Sequence, residues 1–200
     1  MNIIFDIGNV LLSYQPREYL EELFCDQDIV ELYHEMIFRS SLWLDLDRGV
    51  VNEAEVVEIL GNRYPKHKAD IQRVFARWYS LLYPIQETTA LLPKLKAEGL
   101  GLYALSNFHK EAFAYVRTKY KWFDLFDGMI ISYAINYIKP EPEIYKALIE
   151  KYGLEPAECV FIDDISTNLQ AAADLGFQTI EFTSYKNLIS ELEKLLGESL

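Results

Sequence analysis

Cysteine is scarce in this 200-residue chain, which has only Cys25 and Cys159, far apart in the sequence. This number and spacing exclude a disulfide framework and a cysteine-rich zinc site, and they fit a reducing compartment. Long apolar runs are also lacking, because no stretch approaches the ~20 residues that a bilayer crossing needs. The opening MNIIFD has no basic region, and Asp6 interrupts its apolar run early, so we expect no signal peptide. The sequence therefore predicts a soluble, cytoplasmic protein.

Positive charge is scarce as well. The chain has 19 lysines and arginines against 31 acidic residues, a formal net charge of -12, and the acidic residues are spread along its length. Such a surface repels nucleic acids and anionic membranes, so we expect neither as a partner. If the substrate is an anion, the cations that bind it must be few and local.

Half of the residues are hydrophobic, and they fall into short runs that alternate with helical patterns. Five runs bounded by polar or turn residues are predicted strands: Asn2–Phe5, Leu100–Leu105, Met129–Ile131, Cys159–Ile162 and Gln178–Phe182. Four segments between or after them are predicted helices: Lys110–Lys119, Pro142–Tyr152, Thr167–Leu175 and Tyr185–Leu196. This alternation is typical of an α/β fold with a doubly wound, Rossmann-like parallel sheet of five strands, covered on both faces.

Residues 15–83 interrupt that alternation, because they show helical spacing and no convincing strand. Asn52, followed three positions later by Glu55, is a plausible helix start. We therefore predict an α/β core domain formed by residues 1–14 and 84–200, and an all-helical cap domain at 15–83. Within the cap, the stretch SLWLDLDRGV is expected to pack through Trp43 and Leu44, to end a helix at Gly49, and to direct Asp45, Asp47 and Arg48 toward water.

Polar residues follow four of the predicted strands, at the edge where an open parallel sheet binds its ligands. Each alone has an ordinary explanation as a turn residue, a helix cap or a loop lysine. Together they favour a single site at one edge of the sheet. The residues are Asp6, Ser106, Asn107, Lys139, Asp163 and Asp164.

The charges of this set indicate a metal ion. Three carboxylates meet a single ammonium group, and like charges ~4 Å apart repel by about 4 kcal/mol in a partly buried site. The cluster must therefore bind a proton or a cation. Oxygen ligands without histidine or thiolate favour a hard ion, and Mg²⁺ is the predicted cofactor.

Four motifs in this order resemble those of the haloacid dehalogenase superfamily. They are an apolar run ending in DxG at Ile3–Gly8, an apolar run ending in SN at Tyr103–Asn107, KP at Lys139 and Pro140, and an apolar run ending in DD at Val160–Asp164, with Asn168 beyond it. The helical insertion resembles that family's first type of cap. The FDxGNV stretch is similar to the branch containing sugar phosphate phosphatases such as glucose-1-phosphate phosphatase.

The resemblance implies a Mg²⁺-dependent phosphatase that acts on a small phosphorylated metabolite, with a sugar phosphate as the expected substrate. Asp6 would attack phosphorus and form an aspartyl phosphate. Ser106 and Asn107 would hold the phosphoryl oxygens, and Lys139 would pair with Asp6 and the phosphoryl group.

The resemblance also implies a metal site. Asp164 would bind Mg²⁺ together with Asp6 and the Gly8 carbonyl, and Asp163 would bind it directly or through water. Asn168 would support these ligands.

Gly8 departs from the family pattern, because phosphatases of this family commonly carry an aspartate at that position as general acid and base. Such a group is typically worth about 10² to 10⁴ in rate. Three interpretations stay open: a water or a cap residue takes the role, the chain is a 2-haloacid dehalogenase, or the domain is idle and binds a phosphoryl ligand or a protein. The paired Asp163 and Asp164 favour the phosphatase.

Other polar residues are not assigned to the site. His34 and His109 are expected to be surface or packing residues. Tyr14 and Arg17, at the start of the insertion, are candidates for substrate contact.

Overall fold

The computed structural model describes residues 1–197, and its centre is a five-stranded sheet with strand order β3-β2-β1-β4-β5. All neighbouring strands are parallel. This confirms the predicted fold class. The strands are β1 (Asn2–Phe5), β2 (Gly101–Ser106), β3 (Gly128–Ile131), β4 (Cys159–Asp163) and β5 (Gln178–Glu181).

The segment between β1 and β2 begins with a helical insertion. Its α-helices are α1 (Pro16–Leu23), α2 (Gln27–Tyr33), α3 (Ser41–Arg48), α4 (Glu53–Arg63) and α5 (Lys68–Arg77). A π-helix at His34–Phe38 and 3₁₀ turns at Pro65–His67 and Trp78–Leu81 join them. The structure places no strand in residues 15–83. The division of the chain into a cap domain and a core domain stays a prediction.

The remaining helices cover the sheet. They are α6 (Gln86–Ala97), α7 (Lys110–Lys119), α8 (Pro142–Tyr152), α9 (Ser166–Asp174) and α10 (Tyr185–Leu196). Short 3₁₀ turns lie at Lys121–Leu125, Ser132–Ala134 and Pro156–Glu158. None of the helices within residues 1–197 combines the length and the hydropathy that a membrane span requires.

Local sequence explains two helix ends of the insertion that matter below. Asn52 and Glu55 form the predicted capping box at the start of α4, each side chain accepting a hydrogen bond from the other residue's backbone N–H. Gly49 ends α3 with φ 74°. A Cβ there would lie 2.4 Å from the backbone oxygen of Tyr133, so both the conformation and the space require glycine.

The apolar residues of the strands pack on both faces of the sheet. Ile3 and Phe5 belong to a large cluster that continues into the buried side chains of the insertion, whereas Ile4 belongs to a smaller cluster on the opposite face. Because side chains alternate along a strand, β1 contributes to both. The helical insertion is therefore joined to one face of the sheet by a continuous apolar core.

The strand order places β1 in the middle of the sheet. From β1 the chain adds β2 and β3 on one side and then returns to add β4 and β5 on the other. Where the order reverses, the connections diverge and leave a crevice at the carboxyl ends of the strands. Asp6 lies at this point, and its backbone N–H donates to the Ile162 carbonyl at 2.8 Å.

Candidate active site

A buried lysine joins two aspartates from neighbouring strands. The Lys139 Nζ lies 2.8 Å from Asp6 Oδ1 and 2.6 Å from Asp163 Oδ2. All three side chains are almost fully buried. A buried charge requires pairing of this kind, and charge-assisted hydrogen bonds at these distances fix all three side chains.

Asp163 uses both carboxylate oxygens in hydrogen bonds. Its Oδ1 accepts from the Ile165 backbone N–H at 2.8 Å and from Asn168 Nδ2 at 3.1 Å. Its Oδ2 accepts from Lys139 Nζ and, at 3.1 Å, from the same Asn168 amide. The Asp163 carboxylate therefore fixes the position of the Lys139 ammonium group.

The burial of the cluster changes its protonation. Burial raises the pKa of Asp6 to about 7, with a further increase from the charge of Asp163, while Lys139 lowers it. For Lys139, burial acts to lower the pKa, but the two carboxylates outweigh burial and the pKa is raised. Burial also raises the pKa of Asp164. The ammonium group is stable in this site, and the carboxylates need further positive charge.

Ser106 ends β2 and Asn107 follows it, beside this cluster. The Ser106 side chain acts to lower the pKa of Asp6, and its hydroxyl donates to the Asn107 carbonyl at 3.5 Å. The Asn107 side chain accepts from the Lys139 backbone N–H at 2.7 Å and donates to the Lys139 carbonyl at 3.0 Å. Asn107 therefore holds the backbone of the lysine, while Asp163 holds its ammonium group.

A cavity of about 260 Å³ opens above Asp6. Its floor is polar and its walls are largely aromatic and aliphatic. The floor contains Asp6, Gly8, Asn9, Ser106, Asn107, Lys139, Asp164 and Asn168, and the walls contain Tyr14, Phe38, Trp43, Leu44, Asp47, Trp78, Leu82, Phe108, His109 and Ile165.

The floor fits a divalent cation. Asp6, Asp163 and Asp164 each offer a carboxylate oxygen, and these oxygens lie within 4.8 Å of one another. Three carboxylates against one ammonium leave two negative charges, and the all-oxygen donor set suits Mg²⁺. Asp6 and Asp164 line the cavity, whereas the oxygens of Asp163 already accept hydrogen bonds. Asp6 and Asp164 are therefore the better direct ligands.

The loop after β1 is held in shape by Asn9, which the sequence analysis did not single out. Asn9 has φ 53°, a left-handed conformation that asparagine tolerates better than most residues. Its Nδ2 donates to Asp164 Oδ2 at 3.1 Å, and its Oδ1 accepts from the Tyr14 N–H at 3.0 Å. Asn9 thereby fixes the orientation of Asp164 toward the cavity.

The comparison with protein families matches residues 1–176 of the chain to the haloacid dehalogenase-like hydrolases. The chain belongs to this family. It is 27% identical over 194 residues to sesquiterpene phosphatase astK of Aspergillus oryzae, a match that covers 97% of this chain and 95% of that protein. It is also 36% identical over 74 residues to D-ribitol-5-phosphate phosphatase of Bacteroides thetaiotaomicron, covering 37% of this chain and 36% of that protein.

A solved structure of a HAD family enzyme from Bacteroides thetaiotaomicron, in complex with magnesium and inorganic phosphate, is similar to this hydrolase. The TM-score is 0.71 at 29% sequence identity, over 90% of this chain and 92% of that chain. The matches to several larger curated relatives cover only 13% to 15% of the length of those proteins. It is a hydrolase, and the family contains phosphatases that are similar to it.

The structure brings the predicted site residues of this hydrolase together. Six of the seven line the cavity, and Asp163 lies directly beneath it. The six are Asp6, Gly8, Ser106, Asn107, Lys139 and Asp164. Tyr14 also lines the cavity. Arg17 does not line it, because its side chain is exposed and forms an ion pair with Glu31 at 2.5 Å.

Two expectations for the stretch SLWLDLDRGV are wrong. Asp47 does not face bulk water, because its carboxylate is partly buried in the cavity wall. Leu44 does not pack in the core, because it lines the cavity while remaining 51% exposed. Trp43 is buried and Gly49 ends the helix, as predicted. Asp47 lies four residues after Trp43, on the same helical face, and this spacing could have indicated that Asp47 is partly buried.

His109 is also part of the cavity wall. Its ring lies 5.1 Å from that of Trp43 and 4.7 Å from that of Trp78, centroid to centroid. Neither ring nitrogen has a hydrogen-bond partner in residues 1–197, and burial lowers the pKa of His109 to about 3. His109 is therefore a neutral imidazole in an aromatic wall.

Proposed function

We propose that this hydrolase is a Mg²⁺-dependent phosphatase that cleaves a small phosphate monoester through an aspartyl phosphate on Asp6. The main support is the buried arrangement in which Lys139 lies between Asp6 and Asp163, directly below a ligand-sized cavity. The net charge of the chain is -12, so an anionic substrate needs a local positive charge. The Lys139 ammonium group supplies that charge beside the Asp6 carboxylate.

The side chains divide the work of this reaction. Asp6 attacks phosphorus with the oxygen that faces the cavity, and its other oxygen stays fixed by the Ile7 backbone N–H at 2.7 Å and by Lys139. The Lys139 ammonium offsets the negative charge of the phosphoryl group as it approaches. Ser106 donates to the oxygens at the floor. Bound Mg²⁺ would supply further positive charge there, held by Asp6, Asp164 and the Gly8 carbonyl.

The walls of the cavity favour an alcohol with an apolar body. Phe38, Trp43, Trp78 and Phe108 are buried and present rings to the cavity. Burial of each methylene group of a ligand contributes about 0.8 kcal/mol, whereas a sugar would leave hydroxyls against these rings without hydrogen-bond partners. The relative named as a sesquiterpene phosphatase supports an apolar body.

The expected sugar phosphate stays a prediction with support of its own, because another relative is named for D-ribitol 5-phosphate. Kinetics on pentyl phosphate and ribitol 5-phosphate distinguish an apolar substrate from a sugar phosphate. Both esters have five carbons, and only ribitol 5-phosphate carries hydroxyls along the chain. We expect kcat/KM to be at least about 10-fold higher for pentyl phosphate. A higher kcat/KM for ribitol 5-phosphate would show that the substrate is a polyol phosphate and not an apolar ester. The proposal that the protein is a phosphatase would still stand.

Phosphate release from a panel of monoesters, with and without a chelator, tests the reaction itself. We expect release that requires Mg²⁺ and that disappears in Asp6→Asn but not in Asp45→Asn, a matched change of a carboxylate outside the cavity. Release of halide from a 2-haloacid in the presence of the chelator would instead show a dehalogenase. Binding of Mg²⁺ and vanadate without turnover of any ester would show an idle domain. The cytoplasmic location and the cap type stay predictions.

A further inference from the structure

The position two residues after Asp6 offers no group that can transfer a proton. Gly8 occupies it, and neither its backbone nor its surroundings require glycine, since its φ is not positive and an added Cβ would meet no heavy atom within 4 Å. If the proposed phosphatase reaction is correct, the leaving oxygen needs a proton from another side chain. The following inference rests on that proposed function.

Asp47 is the acidic side chain that the insertion presents to the cavity. It lies in the last turn of α3 and lines the cavity together with Asp6 and Lys139, whose charges both affect it. In residues 1–197 no group forms a hydrogen bond or an ion pair with its carboxylate. A carboxylate without a partner in a ligand cavity is available to a substrate.

The end of α3 is fixed to the segment that carries Lys139. The Arg48 guanidinium forms two hydrogen bonds with the Glu141 carboxylate, at 2.8 and 2.7 Å. The Asn136 side chain donates to the Arg48 carbonyl at 2.8 Å. The Ser132 hydroxyl, at the end of β3, donates to the Asp47 carbonyl. These contacts hold Asp47 in register with the floor of the cavity.

We propose that Asp47 is the general acid and base of this phosphatase, supplied by the helical insertion in place of the side chain that Gly8 lacks. In the first step, an Asp6 oxygen bonds to phosphorus, the bond from phosphorus to the alcohol oxygen breaks, and the Asp47 carboxyl proton passes to that oxygen. In the second step, water attacks phosphorus, its proton passes to the Asp47 carboxylate, and the bond to Asp6 breaks. Inorganic phosphate leaves, and Asp47 is protonated again.

The surroundings of Asp47 suit this role. Burial and the charge of Asp6 raise the pKa of Asp47 to about 7, although the charge of Lys139 acts to lower it. A group with this pKa can both give and accept a proton near neutrality. The other candidates in the wall do not fit. Burial lowers the pKa of His109 to about 3, and burial with the charge of Asp47 raises the pKa of Tyr14 well above its usual value.

Leaving groups of different basicity provide the test. Pentyl phosphate releases a basic alkoxide that needs a proton, whereas p-nitrophenyl phosphate releases a stable phenolate that does not. With pentyl phosphate, we expect Asp47→Asn to lower kcat by about 10² to 10⁴. With p-nitrophenyl phosphate, we expect a burst of one nitrophenolate per enzyme followed by slow turnover, because only the hydrolysis of the aspartyl phosphate then lacks its base.

Two further variants control for folding and for the proposed reaction. Asp45→Asn, two residues earlier in α3, should keep kcat within about twofold on both esters. Gly8→Asp in the Asp47→Asn background should restore at least about tenfold of the lost kcat on pentyl phosphate. Asp6→Asn should lose activity on both esters and show no burst.

Unchanged kcat on pentyl phosphate in Asp47→Asn would overturn the inference, while the loss in Asp6→Asn would leave the proposed function standing. An equal loss on both esters without a burst would also overturn it, since that pattern indicates a structural role. Absence of phosphate release by the unaltered protein would overturn the proposed function and the inference together.

Discussion

The floor and the walls of the cavity are built from different chemistry. The floor consists of carboxylates, amides and one ammonium group that neighbouring strands bring together, and ion pairs and hydrogen bonds of 2.6 to 3.1 Å join Lys139, Asp6, Asp163, Asn168, Asn9 and Asp164. The walls consist mainly of rings from the insertion and from the residues just before α7, and in residues 1–197 neither the Asp47 carboxylate nor the His109 ring has a hydrogen-bond partner.

This difference separates what every phosphate ester shares from what distinguishes one ester from another. In the proposed reaction, the floor would contact the phosphoryl group, whose charge and shape are constant. The walls would contact the alcohol and supply the proton that it needs on departure. We therefore expect changes in the floor to affect all substrates and changes in the walls to affect selected ones.

The largest expected effect comes from the floor. Lys139→Met removes the ammonium and leaves three carboxylates unopposed, so we expect kcat to fall by at least about 10³ on every ester. Loss of one partner of a buried ion pair also costs about 3 to 5 kcal/mol of unfolding free energy. Phosphate release and urea denaturation measure the two effects. Lys146→Met, on the exposed side of α8, should change neither. Activity within tenfold of the original in Lys139→Met would contradict the role of the floor.

A smaller effect is expected at the mouth of the cavity. Leu44 lines the cavity but is 51% exposed, so Leu44→Asn should leave stability nearly unchanged. It should lower kcat/KM for pentyl phosphate about fivefold, the equivalent of about 1 kcal/mol of apolar contact, and leave methyl phosphate unaffected. Steady-state kinetics on the two esters measure this, with Leu32→Asn as the control for an exposed leucine outside the cavity. An equal loss on both esters would show that the walls do not select substrates.

The smallest effect concerns the neutral imidazole in the wall. Because burial lowers the pKa of folded His109 to about 3, the unfolded chain binds a proton below about pH 6.5 that the folded state resists. His109 therefore costs no stability above that pH, and it lowers the unfolding free energy by about 1.4 kcal/mol for each pH unit below it.

The difference in unfolding free energy between the original protein and His109→Phe isolates this contribution. The carboxylates of the site also titrate, but they are common to both proteins. Chemical denaturation between pH 4 and 8 measures the unfolding free energy of each protein. Plotted against pH, the two free energies should run parallel above pH 6.5 and diverge below it. Parallel curves over the whole range would place a charged His109 in the wall.

The floor was accessible to sequence reasoning because its residues lie next to elements with strong local patterns. Four helices, among them Lys110–Lys119 and Pro142–Tyr152, have the predicted bounds or differ from them by one residue. Each predicted strand differs by at most one residue at either end. Once the strands are known, parallel geometry places Asp6, Asp163 and Lys139 at one edge.

The walls were not accessible in this way. Asp47 lies in α3 and His109 directly precedes α7, and whether their side chains reach the cavity depends on how these two helices pack on the core. Periodicity shows which face of α3 is buried, but it does not show against what that face packs. Asn9 was missed for a different reason, because its role depends on a left-handed backbone that a short loop imposes.

The link between Arg48 and Glu141 bears on how molecules would pass in and out of the cavity. It ties one side of the insertion to the segment around Lys139, whereas the half-exposed Leu44 and Ile165 border the cavity without such a link. Leu44 and Ile165 are therefore on the exposed side of the cavity, and a ligand that enters on this side must fit past their side chains before it reaches Asp6.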